Sequence, residues 1–313
     1  MERKIVISAI FLALPLIVQA WGFFGHQQIN KLAVFTLPPA MSAFYKKHIV
    51  FITENAVNPD KRRYAIKEEA PRHYIDLDEY GDSISSIPKY WKEAVAKFSE
   101  DSLNAHGIVP WYIILMKHEL TEAFIQKDAK RILRLSADIG HYIADANVPL
   151  HTTRNYNGQL SNQHGIHGFW ESRLPELFFN GYDFYTGKAS YLNSPQTAAW
   201  NAVYRSHAAV DSVLIFEKFL NAKYEEDKKY SFEERGGKPV KVYSREYSEE
   251  YHAMLAGQVQ RQMRASVKMV GDFWYTCWVD AGQPDLSSLD ASFTEEEVKE
   301  MKNNSVAHED CKH

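Results

Sequence analysis

The chain has 313 residues, of which 45% are hydrophobic and 24% are charged, and its formal net charge is −4 at pH 7. This composition indicates a folded protein with a substantial core and excludes a disordered chain, while the lack of a clear linker favours one large domain. A mildly acidic protein has no global basic field, so any binding of nucleic acid must be local. Its two cysteines, Cys277 and Cys311, permit a disulfide but do not imply one.

The first 20 residues have the pattern of a signal peptide. A short charged start precedes an apolar run at 5–18, and Val-Gln-Ala forms a small-residue cleavage site that ends at Ala20. The alternative is a membrane anchor, but this run is shorter than the roughly 20 residues that a spanning helix needs. We therefore predict an exported protein, periplasmic or secreted, that is cleaved after Ala20, starts at Trp21 and keeps no stable membrane span.

Past residue 26 the apolar residues recur mostly at helical spacing. The predicted helical runs are 90–98, 109–124, 129–146, 197–220 and 247–279. Stretches rich in polar residues, glycine and proline are predicted as loops at 55–71, 155–165 and 223–241. Alternating strand patterns are scarce. The predicted fold class is all-α, with a signal peptide at 1–20, a single compact multi-helix domain at 21–285 and a charged C-terminal tail at 286–313.

Histidines and carboxylates recur at one-turn spacing in the middle of the chain. His141 and Asp145 lie four residues apart on a predicted helix, and His151 follows where the chain returns. His167 and Glu171 repeat the same spacing. An imidazole and a carboxylate one turn apart can hold one divalent cation. A lone pair of this kind is more often only hydrogen-bonded, and His164 in the same region is either a supporting residue or a loop histidine.

A third group of possible ligands lies upstream. Asp60 precedes His73 by thirteen residues across a predicted loop. Taken alone, Asp60 is typical of a turn, and His73 is typical of the surface or the core. Nitrogen and oxygen ligands without thiolates favour zinc over manganese or iron.

Together these residues resemble the superfamily of zinc-dependent phospholipases C and single-strand-specific zinc nucleases. Five ordered sequence elements carry the resemblance: WGFFGH, PDKRR, RHYID, GHYIADANVPLH and HGFWE. They run from residue 21 to residue 171, about half of the chain. The resemblance implies the compact helical fold of that superfamily, with a trinuclear zinc site.

The resemblance also implies three Zn²⁺ ions and their ligands. In this superfamily the mature N-terminal tryptophan binds zinc through its α-amino nitrogen and carbonyl oxygen, so signal cleavage before Trp21 would create a ligand. By position, the first ion takes Trp21, His26 and Asp145; the second takes Asp60, His73, His141 and the bridging Asp145; the third takes His151, His167 and Glu171.

The implied activity is hydrolysis of phosphoric esters by metal-activated water. As the resemblance suggests, Asp60 also holds or deprotonates the attacking water. Arg63 matches an arginine that the nucleases use on the transition-state phosphate, where a guanidinium presents a planar fork of donors. The alternative for Arg63 is a solvated side chain in a basic run.

The substrate is less clearly indicated. Tyr74 and Asp76 match nuclease residues that stack on a base and hydrogen-bond its edge, whereas Glu171 matches the bacterial phospholipases, because the nucleases have aspartate there. We expect a single-strand nuclease or nucleotidase-like phosphodiesterase. A phospholipase C acting on phosphatidylcholine-like lipids is the alternative, and a non-catalytic zinc-binding surface protein is a third. The expected partner is single-stranded nucleic acid or a phospholipid head group, bound as substrate by a monomer.

Overall fold

The computed structural model describes residues 22–81 and 83–294, and these residues are mostly helical, as predicted. The α-helices are α1 Gly22–Ala33, α2 Pro39–Lys47, α3 Ile49–Glu54, α4 Asn58–Arg62, α5 Trp91–Phe98, α6 Glu100–His106, α7 Val109–Ile125, α8 Ala129–Asp145, α9 Ile166–Gly168, α10 Leu174–Phe178, α11 Pro195–His207, α12 Val210–Asn221, α13 Glu226–Lys229, α14 Arg245–Met254 and α15 Gln258–Asp280. A π-helix, Phe169–Arg173, joins α9 to α10. The 3₁₀ helices are Val34–Thr36, Asn55–Val57, Lys67–His73, Leu77–Glu79, Ile84–Ser86, Pro149–Thr152 and Phe179–Gly181.

Three of the predicted helical runs each form one helix, namely α5, α7 and α8. The other two are each divided. The run at 197–220 becomes α11 and α12, and the run at 247–279 becomes α14 and α15. The second break passes through Gly257, which has a φ of +76°, a conformation that glycine adopts at little cost. Hydrophobic spacing misses such breaks because the apolar face continues on both sides of them.

The loop prediction at 223–241 is wrong. Strand β1, Tyr230–Arg235, pairs antiparallel with β2, Lys238–Tyr243. Gly236 and Gly237 connect the strands with φ values of +58° and +76°, as a tight two-residue hairpin turn requires. Charged and exposed residues hide the alternation, but the Gly-Gly pair between two short runs was a usable signal.

The loop prediction at 55–71 is also wrong, because this stretch contains short helical segments that include α4 and part of Lys67–His73. Pro59 occupies the first turn of α4, where its missing N–H costs nothing. The third predicted loop, 155–165, does consist of turns, and His164 is exposed within it. A loop histidine is therefore the better interpretation of His164.

The core is built around α8, against which α1, α7 and α15 pack. Trp274 of α15 is fully buried, and its ring stacks on Tyr45 with 5.0 Å between ring centroids. The indole N–H of Trp274 donates to the carbonyl of Ser136 on α8 at 3.0 Å. Buried aromatic area and a satisfied polar atom thus hold α15 on α8, the helix that carries two of the predicted ligands.

A glycine permits α1 to approach α8 closely. A Cβ atom at position 140 would lie 2.0 Å from Oδ1 of Asn30, whose Nδ2 donates to the carbonyl of Ala137 at 3.0 Å. His26 lies one turn before Asn30 on α1. As a result its ring stacks on His141 of α8, with 3.8 Å between ring centroids. The helix crossing therefore brings two distant predicted ligands together.

We expect Gly140→Ala to lower the free energy of unfolding by about 1–3 kcal/mol, because the added methyl group overpacks the buried crossing. The displacement of α1 should also separate His26 from His141 and reduce metal content. Denaturant unfolding and elemental analysis would measure both effects. Gly168→Ala is the matched control, since a Cβ there meets no atom within 4 Å. Wild-type stability and metal content in Gly140→Ala would contradict this account of the crossing.

Within 22–81 and 83–294, no helix combines the length and apolar character needed to cross a membrane. The predicted signal peptide, Trp21 and Cys311 lie outside the described residues, whereas Cys277 is buried in α15. The chain continues to pack beyond residue 285, where the sequence suggested a tail. Leu286 is buried, and Phe293 stacks on Phe51 of α3 with 4.5 Å between ring centroids.

Candidate metal centre

Eight of the nine predicted ligands converge in buried groups, and the ninth, Trp21, lies outside the described residues. The groups are His26, His141 and Asp145; Asp60, His73 and His141; and His151, His167 and Glu171. In each group the possible ligand atoms all lie within 4.8 Å of one another. Several buried clusters in this protein could therefore hold a metal ion.

Asp145 lies between the groups, with each carboxylate oxygen facing different imidazoles. Its Oδ2 is 2.9 Å from Nδ1 of His73 and 3.2 Å from Nε2 of His141. Its Oδ1 is 3.4 Å from Nε2 of His26 and 3.9 Å from Nδ1 of His151. This orientation is the one that a carboxylate bridging two cations would need. Asp145 is the last residue of α8, so its side chain lies where the helix ends.

Asp60 contributes a buried carboxylate whose two oxygens have no hydrogen-bond partner. Its side chain is only 6% exposed, and its Oδ1 lies 3.7 Å from Nε2 of His141 and 3.8 Å from Nδ1 of His73. A buried carboxylate without hydrogen bonds is costly unless a cation compensates its charge. The guanidinium of Arg63, 3.8 Å from Oδ1, compensates part of this charge, and a bound cation would compensate the rest.

The third group takes His151 from a 3₁₀ helix, His167 from α9 and Glu171 from the π-helix. Nε2 of His151 lies 3.1 Å from Nε2 of His167, and Oε2 of Glu171 lies 2.8 Å from Nε2 of His167. A tetrahedral zinc ion with bonds of about 2.0–2.2 Å places its ligand atoms about 3.3–3.6 Å apart. The 3.5 Å between Nε2 of His151 and Oε2 of Glu171 matches this spacing, and the other two distances are shorter. The π-helix that carries Glu171 is a rare conformation that is frequent at functional sites.

Hydrogen bonds on the outer side of two histidines determine which ring nitrogen faces inward. Nδ1 of His141 donates to the carbonyl of Ala56 at 2.8 Å, and Nδ1 of His151 donates to the carbonyl of His73 at 2.6 Å. A carbonyl can only accept, so each Nδ1 carries a proton, and in the neutral ring Nε2 keeps its lone pair for a metal ion. This supporting arrangement is typical of metal-binding imidazoles.

The ionisation states of three ligands, His26, His167 and Asp145, suit cation binding. Burial lowers the pKa of His26, and burial lowers the pKa of His167 to about 3, so both rings are neutral at pH 7. Burial opposes the charge of Asp145, but the nearby His141 and His151 hold its pKa well below the usual range. His141 differs: burial opposes its charge, yet Asp145 and Asp60 raise its pKa to about 9, so its ring is protonated at pH 7 and a metal ion would have to displace that proton. Neutral imidazoles and ionised carboxylates are the forms that bind metals.

No protein-family model matches this chain. A search of curated proteins likewise finds no significant match. The function must therefore be inferred from the residues of the site. Their donor atoms fit divalent ions, since buried imidazole nitrogens and carboxylate oxygens converge without a thiolate.

The residues predicted to bind substrate lie beside the ligands along the chain. Tyr74 is partly buried, and its hydroxyl donates to the carbonyl of Ala105 at 3.3 Å. Its backbone carbonyl accepts from the N–H of Val109 at 3.1 Å, and a Cβ at Gly107 would come within 2.2 Å of the same oxygen. The backbone of Tyr74 is thus held firmly. Nη1 of Arg63 lies 3.8 Å from Oδ1 of Asp60, with its side chain 32% exposed.

Tyr156 is a site residue that the sequence interpretation missed. Its side chain is 46% exposed, and its ring centroid lies 6.0 Å from that of His167. It is also near enough to Tyr74 to influence the pKa of that phenol, as is Arg63. The available signal was its position, an aromatic residue in the loop between the ligands His151 and His167. Two tyrosines and an arginine therefore adjoin the buried groups.

Asp76 has a raised pKa of about 7, chiefly because of burial and then because of the charges of Asp78 and Glu79. The folded protein therefore binds more protons than the unfolded chain between about pH 4 and pH 7, so the free energy of unfolding falls as pH rises, by at most about 1.4 kcal/mol per pH unit. We expect Asp76→Asn to remove this slope. Urea unfolding of metal-free protein at pH 5 and pH 8 would show it as a gain in stability over wild type that is larger at pH 8. An equal difference at both pH values would contradict the raised pKa.

Proposed function

We propose that this protein is a zinc-dependent hydrolase that cleaves phosphodiester bonds. The observation that carries the proposal is the position of Asp60, a buried carboxylate that adjoins two metal-ligand candidates and Arg63 together. Metal ligation accounts for the closeness of Asp60 to His73 and His141. It does not require the neighbouring guanidinium of Arg63. An enzyme that hydrolyses a phosphate ester can use both, since the metal centre binds the phosphate and the guanidinium donates hydrogen bonds to its oxygens.

The proposed centre holds three zinc ions. The ligands would be Trp21, His26 and Asp145 for the first ion; Asp60, His73, His141 and Asp145 for the second; and His151, His167 and Glu171 for the third. When bound, the ions would supply positive charge for phosphoryl oxygens and make water acidic enough to react near neutral pH. The role of Trp21 as a zinc ligand is proposed from the sequence resemblance alone.

The protein's own residues would then divide the work on the substrate. Asp60 would accept the proton of the attacking water, because its buried oxygens have no competing hydrogen bond. Arg63 would donate to the phosphoryl oxygens from its partly exposed position next to Asp60. A non-catalytic metal-binding protein would use Asp60 as a ligand but would not need Arg63 beside it, which makes that alternative the weaker one.

A single-stranded nucleic acid is the substrate that we favour. Tyr74 follows the ligand His73 directly, and it presents a held, partly exposed aromatic ring. Stacking of a base on such a ring contributes about 1–3 kcal/mol and tolerates any sequence. Asp76, with its pKa of about 7, can donate or accept a hydrogen bond at the edge of the base near neutral pH. An unpaired base is required for both contacts, so single strands would be preferred.

A phospholipase C remains the second candidate because of one residue. Glu171 belongs to the third buried group, and by resemblance a glutamate at this position is the phospholipase choice. A phosphodiester in a lipid would meet the same metal ions, Asp60 and Arg63. The two candidates differ only in what binds beyond the phosphate.

One paired assay distinguishes these functions. Zinc-loaded protein that begins at Trp21 would be offered single-stranded RNA and phosphatidylcholine vesicles in parallel, each with and without a chelator. We expect chelator-sensitive release of nucleotides and no release of phosphocholine. Tyr74→Ala should then raise KM for RNA by about 5–100-fold, in line with the loss of one stacked base. Phosphocholine release alone would establish the phospholipase, and zinc binding without hydrolysis of either substrate would overturn the proposal.

A further inference from the structure

Glu69 is an acid that adjoins the ligand His73 and is not itself one of the predicted ligands. It is fully buried on the 3₁₀ helix Lys67–His73, four residues before His73. Its Oε1 lies 3.7 Å from Nε2 of His73, a distance of electrostatic contact rather than of a direct hydrogen bond. The hydroxyl of Tyr142, the residue after a ligand on α8, donates to the same Oε1. Glu69 therefore connects His73, a ligand of the second group, to Tyr142 of α8.

Two arginines hold this carboxylate in place from its other side. Nη1 of Arg72 donates to Oε2 of Glu69 at 2.7 Å, and Nε of Arg62 lies 3.5 Å from the same oxygen. Arg62 also makes a two-pronged contact with Asp138, at 3.3 Å for Nη1 to Oδ1 and 3.0 Å for Nη2 to Oδ2. Two carboxylates and two guanidinium groups thus balance one another. Such a network fixes the position of Glu69 in the absence of any metal.

His73 differs from the other supported histidines in which nitrogen it turns inward. Its Nδ1, not its Nε2, faces Asp145 and His141. Its outward nitrogen, Nε2, is buried and has no backbone carbonyl as hydrogen-bond partner. For His141 and His151, a carbonyl accepts the outward proton. The group in the corresponding place for His73 is the carboxylate of Glu69.

We propose that Glu69 is a positioning residue that holds the proton of His73 on Nε2 and thereby keeps Nδ1 available as a zinc ligand. A carboxylate behind a metal-binding imidazole selects the ring tautomer, orients the ring and makes the inward nitrogen more basic. The inference rests on the proposed zinc site and adds to it a residue that the sequence interpretation did not include. No local spacing rule indicated it, because Glu69 acts through the ring of His73 and not on the ion.

Zinc retention in Glu69→Gln provides the test. Zinc-loaded wild type and variant would be dialysed against chelators of increasing strength and then measured by elemental analysis. We expect the variant to bind one zinc equivalent about 10–100-fold more weakly, so that a correspondingly weaker chelator removes it. The remaining equivalents should be retained as in wild type. Asp138→Asn is the matched control, since it removes a carboxylate from the same arginine without any contact to His73. It should lower the melting temperature but leave zinc retention unchanged.

The outcomes separate positioning from simple stability. Equal weakening of zinc binding in Glu69→Gln and Asp138→Asn would make the effect structural and overturn the inference, as would wild-type retention in Glu69→Gln. A wild type that binds no zinc would overturn both this inference and the proposed function. If wild type binds zinc and Glu69→Gln retains zinc equally well, the inference is overturned and the proposed function is not.

A second measurement uses the wild-type protein and does not depend on whether a Glu69 variant folds. In zinc-loaded wild type labelled with ¹⁵N at the histidine rings, we expect His73 to carry its proton on Nε2 and to bind zinc through Nδ1. The resonance would be assigned by its absence from His73→Gln. Zinc on Nε2 of His73, or a proton on Nδ1, would overturn the inference.

Discussion

Replacement of Asp145 by alanine is expected to remove more than one zinc equivalent and to lower kcat/KM by at least about 10³-fold. The reason is its central position, since Oδ2 faces His73 and His141 while Oδ1 faces His26. Loss of the side chain leaves two groups of ligands without their shared carboxylate. Elemental analysis of the purified variant, together with its steady-state hydrolysis of the preferred substrate, would measure both effects.

Glu171→Ala is the matched comparison for this experiment. Glu171 is also a buried carboxylate one turn after a histidine, but it belongs to the third group alone. We expect this variant to lose a single zinc equivalent. If Asp145→Ala and Glu171→Ala lose equal amounts of zinc, Asp145 does not bridge.

Arg63→Ala is expected to lower kcat by about 10²–10³-fold with zinc content unchanged, the usual cost of deleting one donor to a developing charge. Arg63 is not in any of the ligand groups, and its guanidinium lies 3.8 Å from the carboxylate of Asp60. A loss in kcat without a loss of metal would therefore isolate its action on the substrate. Arg63→Lys should recover only part of the rate, because an ammonium group cannot form the planar, two-pronged contact.

The control for Arg63→Ala is Lys61→Ala. Lys61 lies two residues earlier on α4, with Nζ 5.9 Å from the ring centroid of Phe23, so its removal also deletes one positive charge near the site. We expect this variant to keep kcat within about 3-fold of wild type, because the charge of the partly exposed Lys61 would act on the substrate only through space and would be largely screened at physiological ionic strength. Similar losses in the two variants would assign the effect to general electrostatic attraction and not to the guanidinium of Arg63.

Local spacing was enough to predict the ligand pairs that share one turn of chain. His141 with Asp145 and His167 with Glu171 contact each other at 3.2 and 2.8 Å, because helical geometry alone brings residues four apart together. The long amphipathic helices were predicted for the same reason, since their apolar spacing is a local property. Breaks such as the one before α15 and the hairpin were not, because a glycine conformation or a strand pairing decides them.

The meeting of the three ligand groups depends on tertiary structure. His26 reaches His141 only because Gly140 lets α1 lie close to α8, and Asp60 reaches His73 across chain that was predicted as loop and is partly helical. Sequence resemblance could propose such a set but could not supply its geometry.

By itself, the amino-acid sequence determined a mostly helical chain, the one-turn pairs of candidate ligands and a set of residues whose donor atoms suit metal binding. Tertiary structure alone decided that Asp145 turns one oxygen to each side, that Tyr156 adjoins the third group and that Glu69 faces His73. The physical reason is the separation along the chain of the residues that interact. Hydrogen bonds along a helix repeat every turn and leave a pattern in the sequence, whereas contacts between distant segments depend on how whole helices pack and leave none.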